Sequence, residues 1–220
     1  MKTATLSPGL AWISLCIASL LPPSLVRAGD DDLFAEGARV FSTVAGVGCT
    51  TCHGEYAEGD LGVGPYIRGA TEGSIRAAID ATNEMVIVKN AITDAEIKAV
   101  SAYLGHLGTM QVVRTLAKRG RFLPDDVHVR PGTSVQLIIR NAGTEPHTFK
   151  SDDMGIEALT VPGRSTGSIQ WQAPESEGDY SLYCTDCKLK GQFLTVRVDM
   201  DAAEFRTTAP TNKGAADGTM

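Results

Sequence analysis

The spacing of apolar residues changes along this 220-residue chain, and the change limits the folds open to it. Between Asp94 and Leu107 apolar residues recur every three or four positions, which is the period of a helix. Further on, Val135, Leu137 and Ile139 occupy alternate positions, which is the period of a strand. The chain is long enough for two small domains. We therefore predict an all-α domain followed by an all-β domain.

The N-terminus has the features of an export signal. Lys2 precedes an apolar stretch over 10–21, and a Pro-Pro pair and Ala28 follow. The apolar stretch is well short of the roughly 20 residues that span a bilayer. We interpret residues 1–28 as a signal peptide cleaved near Ala28. The mature protein is then expected in the periplasm, with no transmembrane segment.

Charge marks the expected domain boundaries. The formal net charge is −6, so we expect no nucleic-acid partner. Residues 29–108 are acidic and form the predicted first domain, whereas 109–121 hold four basic residues and no acid, which indicates a basic linker. We place the second domain at 122–198. Residues 199–220 contain few apolar side chains and are predicted to be a flexible tail.

The sequence Cys49-Thr-Thr-Cys52-His53 is a C-x-x-C-H motif. In such a motif the two thiols add across the vinyl groups of a haem, and the adjacent imidazole ligates the iron. No strand-helix-strand pattern typical of thioredoxins surrounds it. We therefore expect one covalent haem c bound by Cys49, Cys52 and His53.

A low-spin haem that transfers electrons needs a sixth ligand, and a thioether would favour ferrous iron. Met85, Met110 and Met154 are the candidates. Met85 lies between the haem motif and the predicted last helix, in a stretch without clear periodicity. We expect Met85 to be the distal ligand.

Several residues in this order resemble class I cytochrome c over about 33–107. The resemblance implies that Gly37 and Tyr103 meet where the first and last helices cross. It also implies that the backbone at Pro65 orients the His53 ring. The matching residues are Phe34, Gly37, Val40, Phe41, Gly64, Pro65, Tyr66, Gly69, Met85, Tyr103 and Leu104.

The predicted strands of 122–198 resemble a cupredoxin, which implies a Greek-key β-sandwich. The matching residues are Asn141, Pro146, His147, Gly178, Tyr180, Cys184, Gly191 and Phe193. More narrowly, the stretch from His147 to Glu157, followed by Val161-Pro-Gly163, looks like the cupredoxin-like domains that accompany bacterial iron-uptake systems.

The cupredoxin resemblance implies a copper site that this sequence fills incompletely. His147 matches the first histidine ligand and Cys184 the thiolate. No histidine follows His147; Cys187 or Lys188 stands near the place of the second histidine, and Leu189 or Gln192 near that of the axial ligand. Two readings stay open. His147, Cys184 and Cys187 bind a metal, copper in preference to zinc, or the two cysteines form a disulfide.

These features favour an exported electron carrier whose partner is a redox protein. No acid-base pair or activated nucleophile is visible, so we do not predict an enzyme. The resemblance to iron-uptake domains implies a membrane iron permease as the partner, and a respiratory complex is the alternative. Two further hypotheses are a copper- or iron-delivery module whose haem resets the oxidation state of the metal, and an accessory subunit of an oxidoreductase.

Overall fold

The computed structural model describes residues 28–59, 63–187 and 193–202. Except for Ala28, the predicted signal peptide lies outside the described residues, as does the predicted tail beyond residue 202. No helix in the described part of the chain is long and apolar enough to cross a bilayer.

The N-terminal region is helical, as its periodicity predicts. Two longer helices, α1 and α5, cross where Gly37 faces Tyr103, and a Cβ at Gly37 would lie 2.8 Å from Tyr103 Cβ. This is the crossing that the cytochrome c resemblance implies. Thr93 caps α5 by accepting a hydrogen bond from the backbone N–H of Glu96. The α-helices are α1 Ala28–Thr43, α2 Thr50–His53, α3 Glu72–Ala81, α4 Val86–Lys89 and α5 Asp94–Gly108, and the 3₁₀ turns are Val44–Gly46 and Asn83–Met85.

The C-terminal region is a β-sandwich, which confirms the predicted all-β second domain. Its first sheet has the strand order β2-β1-β4-β7 and its second the order β3-β9-β8-β5-β6. Alternate side chains of both sheets, among them Leu137, Phe149 and Leu182, form one buried core. The strands are β1 Gln111–Lys118, β2 Arg121–Leu123, β3 Asp126–Val129, β4 Ser134–Asn141, β5 His147–Ser151, β6 Ile156–Val161, β7 Thr166–Gln172, β8 Gly178–Cys184 and β9 Phe193–Val198.

The prediction of a linker over 109–121 is wrong, because most of these residues form strands of the sandwich. Strand β1 pairs in parallel with β4, and its Val113 and Ala117 are buried in the core. Arg114 and Lys118 occupy the exposed positions of the same strand. A count of charge alone misses this alternation of buried and exposed positions, so the basic residues suggested a linker. Only Thr109 and Met110 separate α5 from β1.

The prediction that the flexible tail begins at residue 199 is wrong. The backbone N–H of Asp199 donates to Val129 O, and Ala202 is buried and accepts a hydrogen bond from Arg130 Nε at 3.0 Å. The second domain therefore extends at least to Ala202.

Candidate functional site

The C-x-x-C-H motif forms a single helical turn. Helix α2 begins at Thr50, directly after Cys49, and the N–H of His53 donates to Cys49 O at 2.9 Å. Both thiols are free and partly exposed, whereas His53 is buried. The turn thus brings Cys49, Cys52 and His53 together at one face of the helical region.

The backbone of the following loop holds the His53 ring. His53 Nδ1 lies 2.9 Å from Pro65 O, and because a carbonyl can only accept, Nδ1 must carry the proton. In a neutral ring with this hydrogen bond, Nε2 is the nitrogen that is free to bind a metal ion. A Cβ at Gly64 would lie 2.6 Å from Cys52 O and 2.9 Å from His53 Nδ1. The lack of a side chain at Gly64 therefore allows the loop to approach His53 closely. The cytochrome c resemblance implies this contact between the backbone at Pro65 and the His53 ring.

We expect Gly64→Ala to lower the free energy of unfolding by about 1–3 kcal/mol, because the added methyl group must displace the loop from His53. The matched control is Gly73→Ala, since a Cβ at Gly73 in α3 meets nothing within 4 Å. Urea unfolding followed by circular dichroism measures both. Equal stability of the two variants would contradict the tight packing at Gly64.

Burial raises the pKa of the Cys49 thiol to about 11, and the nearby Cys52 adds to this effect. A thiol with so high a pKa is almost entirely protonated at neutral pH. Redox-active C-x-x-C pairs instead lower the pKa of one cysteine to generate the attacking thiolate. The raised pKa of Cys49 does not favour this thiol as the attacking thiolate of such a pair.

The three candidate methionines lie in different surroundings. Met110 is buried in the helical core and Met154 in the sandwich core, where both serve as packing residues. Met85 ends the 3₁₀ turn Asn83–Met85 and is only partly buried, against the same helical core as Cys49. Of the three, Met85 is the thioether left accessible to a ligand in the helical region.

The second candidate site lies where two antiparallel strands of the second sheet end together. Strand β8 ends at Cys184, and β5 begins at His147. The loop after β8 is fastened to β5, because Thr185 N donates to Thr148 O at 2.9 Å and Thr148 N donates to Asp186 Oδ1 at 3.1 Å. These bonds bring Cys187 back towards His147.

The structure brings together all three residues that the sequence predicted for this site and adds Asp186. Donor atoms of His147, Cys184, Asp186 and Cys187 lie within 4.8 Å of one another. Cys187 Sγ is 3.7 Å from His147 Nδ1, and Cys184 is joined to Cys187 by a disulfide. Of the two readings left open by the sequence, the structure has the disulfide. Lys188, Leu189 and Gln192 lie outside the described residues.

A copper site of the blue type, with two histidines and one thiolate, does not fit this donor set. The cluster contains one histidine, His147. His128 lies elsewhere, on β3, where its Nδ1 is 2.7 Å from Asp199 Oδ2. The two sulfur atoms are joined to each other. The thiolate needed by a blue site is therefore absent in the disulfide state.

Asn141 positions His147, a role that sequence analysis did not assign. The side chain is buried, and its Nδ2 donates to Glu145 O at 2.8 Å and to Val161 O at 3.1 Å. Its Oδ1 accepts from Gly143 N at 2.9 Å. These bonds fix the loop that leads into His147. The cupredoxin resemblance includes Asn141, but spacing alone carries no signal for this anchoring.

Arg68 joins the two domains, and nothing in the sequence marked it. Its side chain is fully buried, and its Nη1 donates to Gln136 Oε1 on β4 at 2.6 Å and to Tyr56 O at 3.2 Å. Its Nε and Nη2 both donate to Leu107 O near the end of α5. Burial lowers the pKa of Arg68. The loop that follows His53 is thus bonded to the outer side of the first sheet.

One family model matches part of this chain. Residues 95–196 match the model of the cupredoxin-like domain, a range that begins in α5 and ends in β9. A comparison with curated proteins found no matching sequence.

Two of the solved structures that match this chain do so over about two fifths of its length. The metal-binding domain of the Cu(I)-exporting P-type ATPase CopA of Streptococcus pneumoniae D39, determined with Cu(I), is 17% identical over 41% of this chain and 87% of its own, with a TM-score of 0.35. A purple cupredoxin from Nitrosopumilus maritimus is 18% identical over 40% of this chain and 99% of its own, with a TM-score of 0.29. Both TM-scores are low, so the assignment depends on the family match and on the strand arrangement. The β-sandwich of this chain is a cupredoxin-like domain.

Proposed function

We propose that this protein is an exported electron carrier with one covalent haem c in its helical region, joined to the cupredoxin-like domain. The helical region is then a cytochrome c domain. Cys49 and Cys52 would hold the haem through thioether bonds, with His53 and Met85 as the axial ligands. The haem, when bound, supplies a one-electron iron couple.

The observation that carries the proposal is the state of His53. The hydrogen bond from Nδ1 to Pro65 O at 2.9 Å fixes both the ring orientation and the tautomer. Histidines that ligate a metal commonly donate a hydrogen bond from the N–H of their other ring nitrogen to a carbonyl in this way. Two free thiols in the same helical turn supply the attachment points that haem c requires.

Exposed aliphatic side chains close in sequence to the motif, to Pro65 or to Met85 support the same proposal. Val47 precedes Cys49, Val63 precedes Gly64, and Val86 with Ile87 follows Met85; each of the four is at least 45% exposed. Large apolar side chains exposed at a surface are typical of a region that receives an apolar group. A porphyrin ring is a group of this kind.

The direct test uses the mature protein from a host that attaches haem. We expect its mass to exceed that of the chain by one haem and its pyridine haemochrome spectrum to be that of haem c. A mature chain without added mass from such a host would exclude the proposal.

We expect Met85→Ala to lower the reduction potential and to abolish the weak sulfur-to-iron absorption band of the oxidised protein, because a thioether ligand favours ferrous iron. Redox titration and optical spectroscopy measure the two effects. Met110→Leu is the matched control, since Met110 is a buried packing residue. Unchanged spectrum and potential in Met85→Ala would remove Met85 as the ligand.

The location and partner are further parts of the proposal. The features of 1–28 support export to the periplasm. The acidic charge of 29–108 suits a partner with a basic docking patch, and such encounters weaken as salt is added. A membrane permease for iron uptake and a respiratory complex are the two partner classes that we propose. Association measured at increasing ionic strength tests the expected charge complementarity.

A second candidate function is metal binding or delivery by the cupredoxin-like domain, with the haem resetting the oxidation state of the metal. The cluster of His147, Cys184, Asp186 and Cys187 favours it, because imidazole and sulfur donors lie close together at a partly exposed edge of the sandwich. Metal analysis of the protein in its oxidised and reduced states separates the two functions.

A further inference from the structure

We propose that the Cys184–Cys187 disulfide is a reversible lock on a site for cuprous ion, so that the domain takes up metal only after a dithiol reductant has opened the bond. The three ligands would be the two cysteine sulfurs and His147 Nδ1. The proposal builds on the second candidate function above and adds the condition under which binding occurs.

The lock follows from what the disulfide does to the donor set. Metal ions bind cysteine as the thiolate, and each sulfur of a disulfide has already used its bonding electrons on the other. In the structure both sulfur atoms of the cluster are in this state. His147 Nδ1 and the Asp186 carboxylate then remain, and two such donors make a weak site for a soft ion.

Opening the disulfide produces a suitable site without a large movement. A thiolate lies about 2.3 Å from a bound metal ion, which places two ligands of one ion at most about 4.6 Å apart. His147 Nδ1 is already 3.7 Å from Cys187 Sγ, and the hydrogen bonds of Thr148 with Thr185 and Asp186 hold the loop that carries Cys187. Two thiolates and one imidazole suit cuprous copper, and the harder carboxylate oxygen of Asp186 is not needed as a ligand.

The chemistry balances with one dithiol as the reductant. A thiolate of the reductant attacks one sulfur of the pair, the S–S bond breaks, and a mixed disulfide forms. The second thiol of the reductant then displaces the remaining cysteine. Two electrons and two protons pass to Cys184 and Cys187, and the reductant leaves as its own disulfide. Cuprous ion displaces the two thiol protons when it binds.

The experiment compares the full-length mature protein in two states, air-oxidised and reduced by dithiothreitol, with the reductant removed anaerobically. Cuprous ion is offered in competition with the coloured chelator bicinchoninate. We expect about one Cu(I) per chain in the reduced protein and none above background in the oxidised protein. The background is set by the Cys184→Ser/Cys187→Ser variant, which keeps Cys49 and Cys52.

Two single variants test the ligand set. Cys187→Ser cannot form the disulfide but keeps the thiol of Cys184, so a site with one thiolate would still bind copper in either state. We expect its Cu(I) affinity to be about 100-fold weaker than that of the reduced wild type. His147→Phe removes the third donor and is expected to weaken Cu(I) binding by the reduced protein, whereas unchanged affinity would overturn the set of three ligands.

The outcomes separate the lock from metal binding and from the haem. Equal uptake by the oxidised and reduced wild type would overturn the lock and leave metal binding intact. No uptake above the double-serine background in either state would overturn both and make the disulfide structural. The haem proposal is read separately from the haemochrome spectrum of the same samples.

Discussion

Arg68→Leu is expected to lower the free energy of unfolding by about 3 kcal/mol, because the carbonyls of Leu107 and Tyr56 and the Oε1 of Gln136 would lose a charged donor inside the protein. Leucine fills part of the space but can donate nothing. Since the lost bond to Gln136 joins the loop after His53 to strand β4, we also expect the two domains to unfold together in the wild type and in two separate transitions in Arg68→Leu. Urea titration followed by tryptophan fluorescence and far-ultraviolet circular dichroism measures both effects.

Arg39→Leu is the matched control. Arg39 lies on α1 with more than half of its side chain exposed, and it pairs with Glu36 at 2.6 Å on the surface. Exposed ion pairs contribute little to stability, so this variant should unfold at the denaturant concentration of the wild type. If Arg68→Leu behaved like Arg39→Leu, the buried junction would not stabilise the contact between the domains.

The helices of the N-terminal region, and the turn that holds the C-x-x-C-H motif, were largely predictable because the relevant signals are local in sequence. A capping box at Thr93 and Glu96 marks the start of α5, and one short motif places Cys49, Cys52 and His53 in one turn. The crossing at Gly37 followed from family resemblance, not from periodicity. Its physical basis is the contact of Gly37 with Tyr103, 66 positions further along the chain, which no local pattern reports.

The boundary between the domains was predicted wrongly because it depends on contacts between segments that are far apart in sequence. Strand β1 carries Arg114 and Lys118 on its exposed side, so its charge resembles that of a linker although Val113 and Ala117 enter the core. Arg68 was missed because an arginine usually lies at the surface, and its burial depends on a partner in the other domain, Gln136. Both features arise only when distant segments meet.

Three of the four residues of the second site were predictable, but Asp186 and the state of the two cysteines were not. The sequence predicted a site at His147, Cys184 and Cys187 and left open whether these residues bind a metal or the two cysteines form a disulfide. Two cysteines three positions apart can be bridged only if the chain turns back between them. The hydrogen bonds of Thr148 with Thr185 and Asp186 produce that turn, and they join strands that are almost 40 residues apart.

Replacement of both motif cysteines, in Cys49→Ser/Cys52→Ser, is expected to abolish covalent haem completely, because serine hydroxyls do not form the thioether bonds. The mature variant from a haem-attaching host should have the mass of the bare chain and no haemochrome spectrum after acid-acetone extraction. His53 would keep its hydrogen bond to Pro65 and could still ligate a haem. Because such a haem is not covalently attached, the extraction should remove it.

The matched control for this variant is Cys184→Ser/Cys187→Ser, which removes the same number of cysteines from the other domain and should retain one covalent haem. The comparison is informative because the two pairs differ in the structure: Cys49 and Cys52 are free thiols, whereas Cys184 and Cys187 are joined. Covalent haem in both variants would mean that neither C-x-x-C pair is the attachment site. Loss from the second variant alone would exclude the motif at Cys49 as the attachment site and with it the proposed electron carrier.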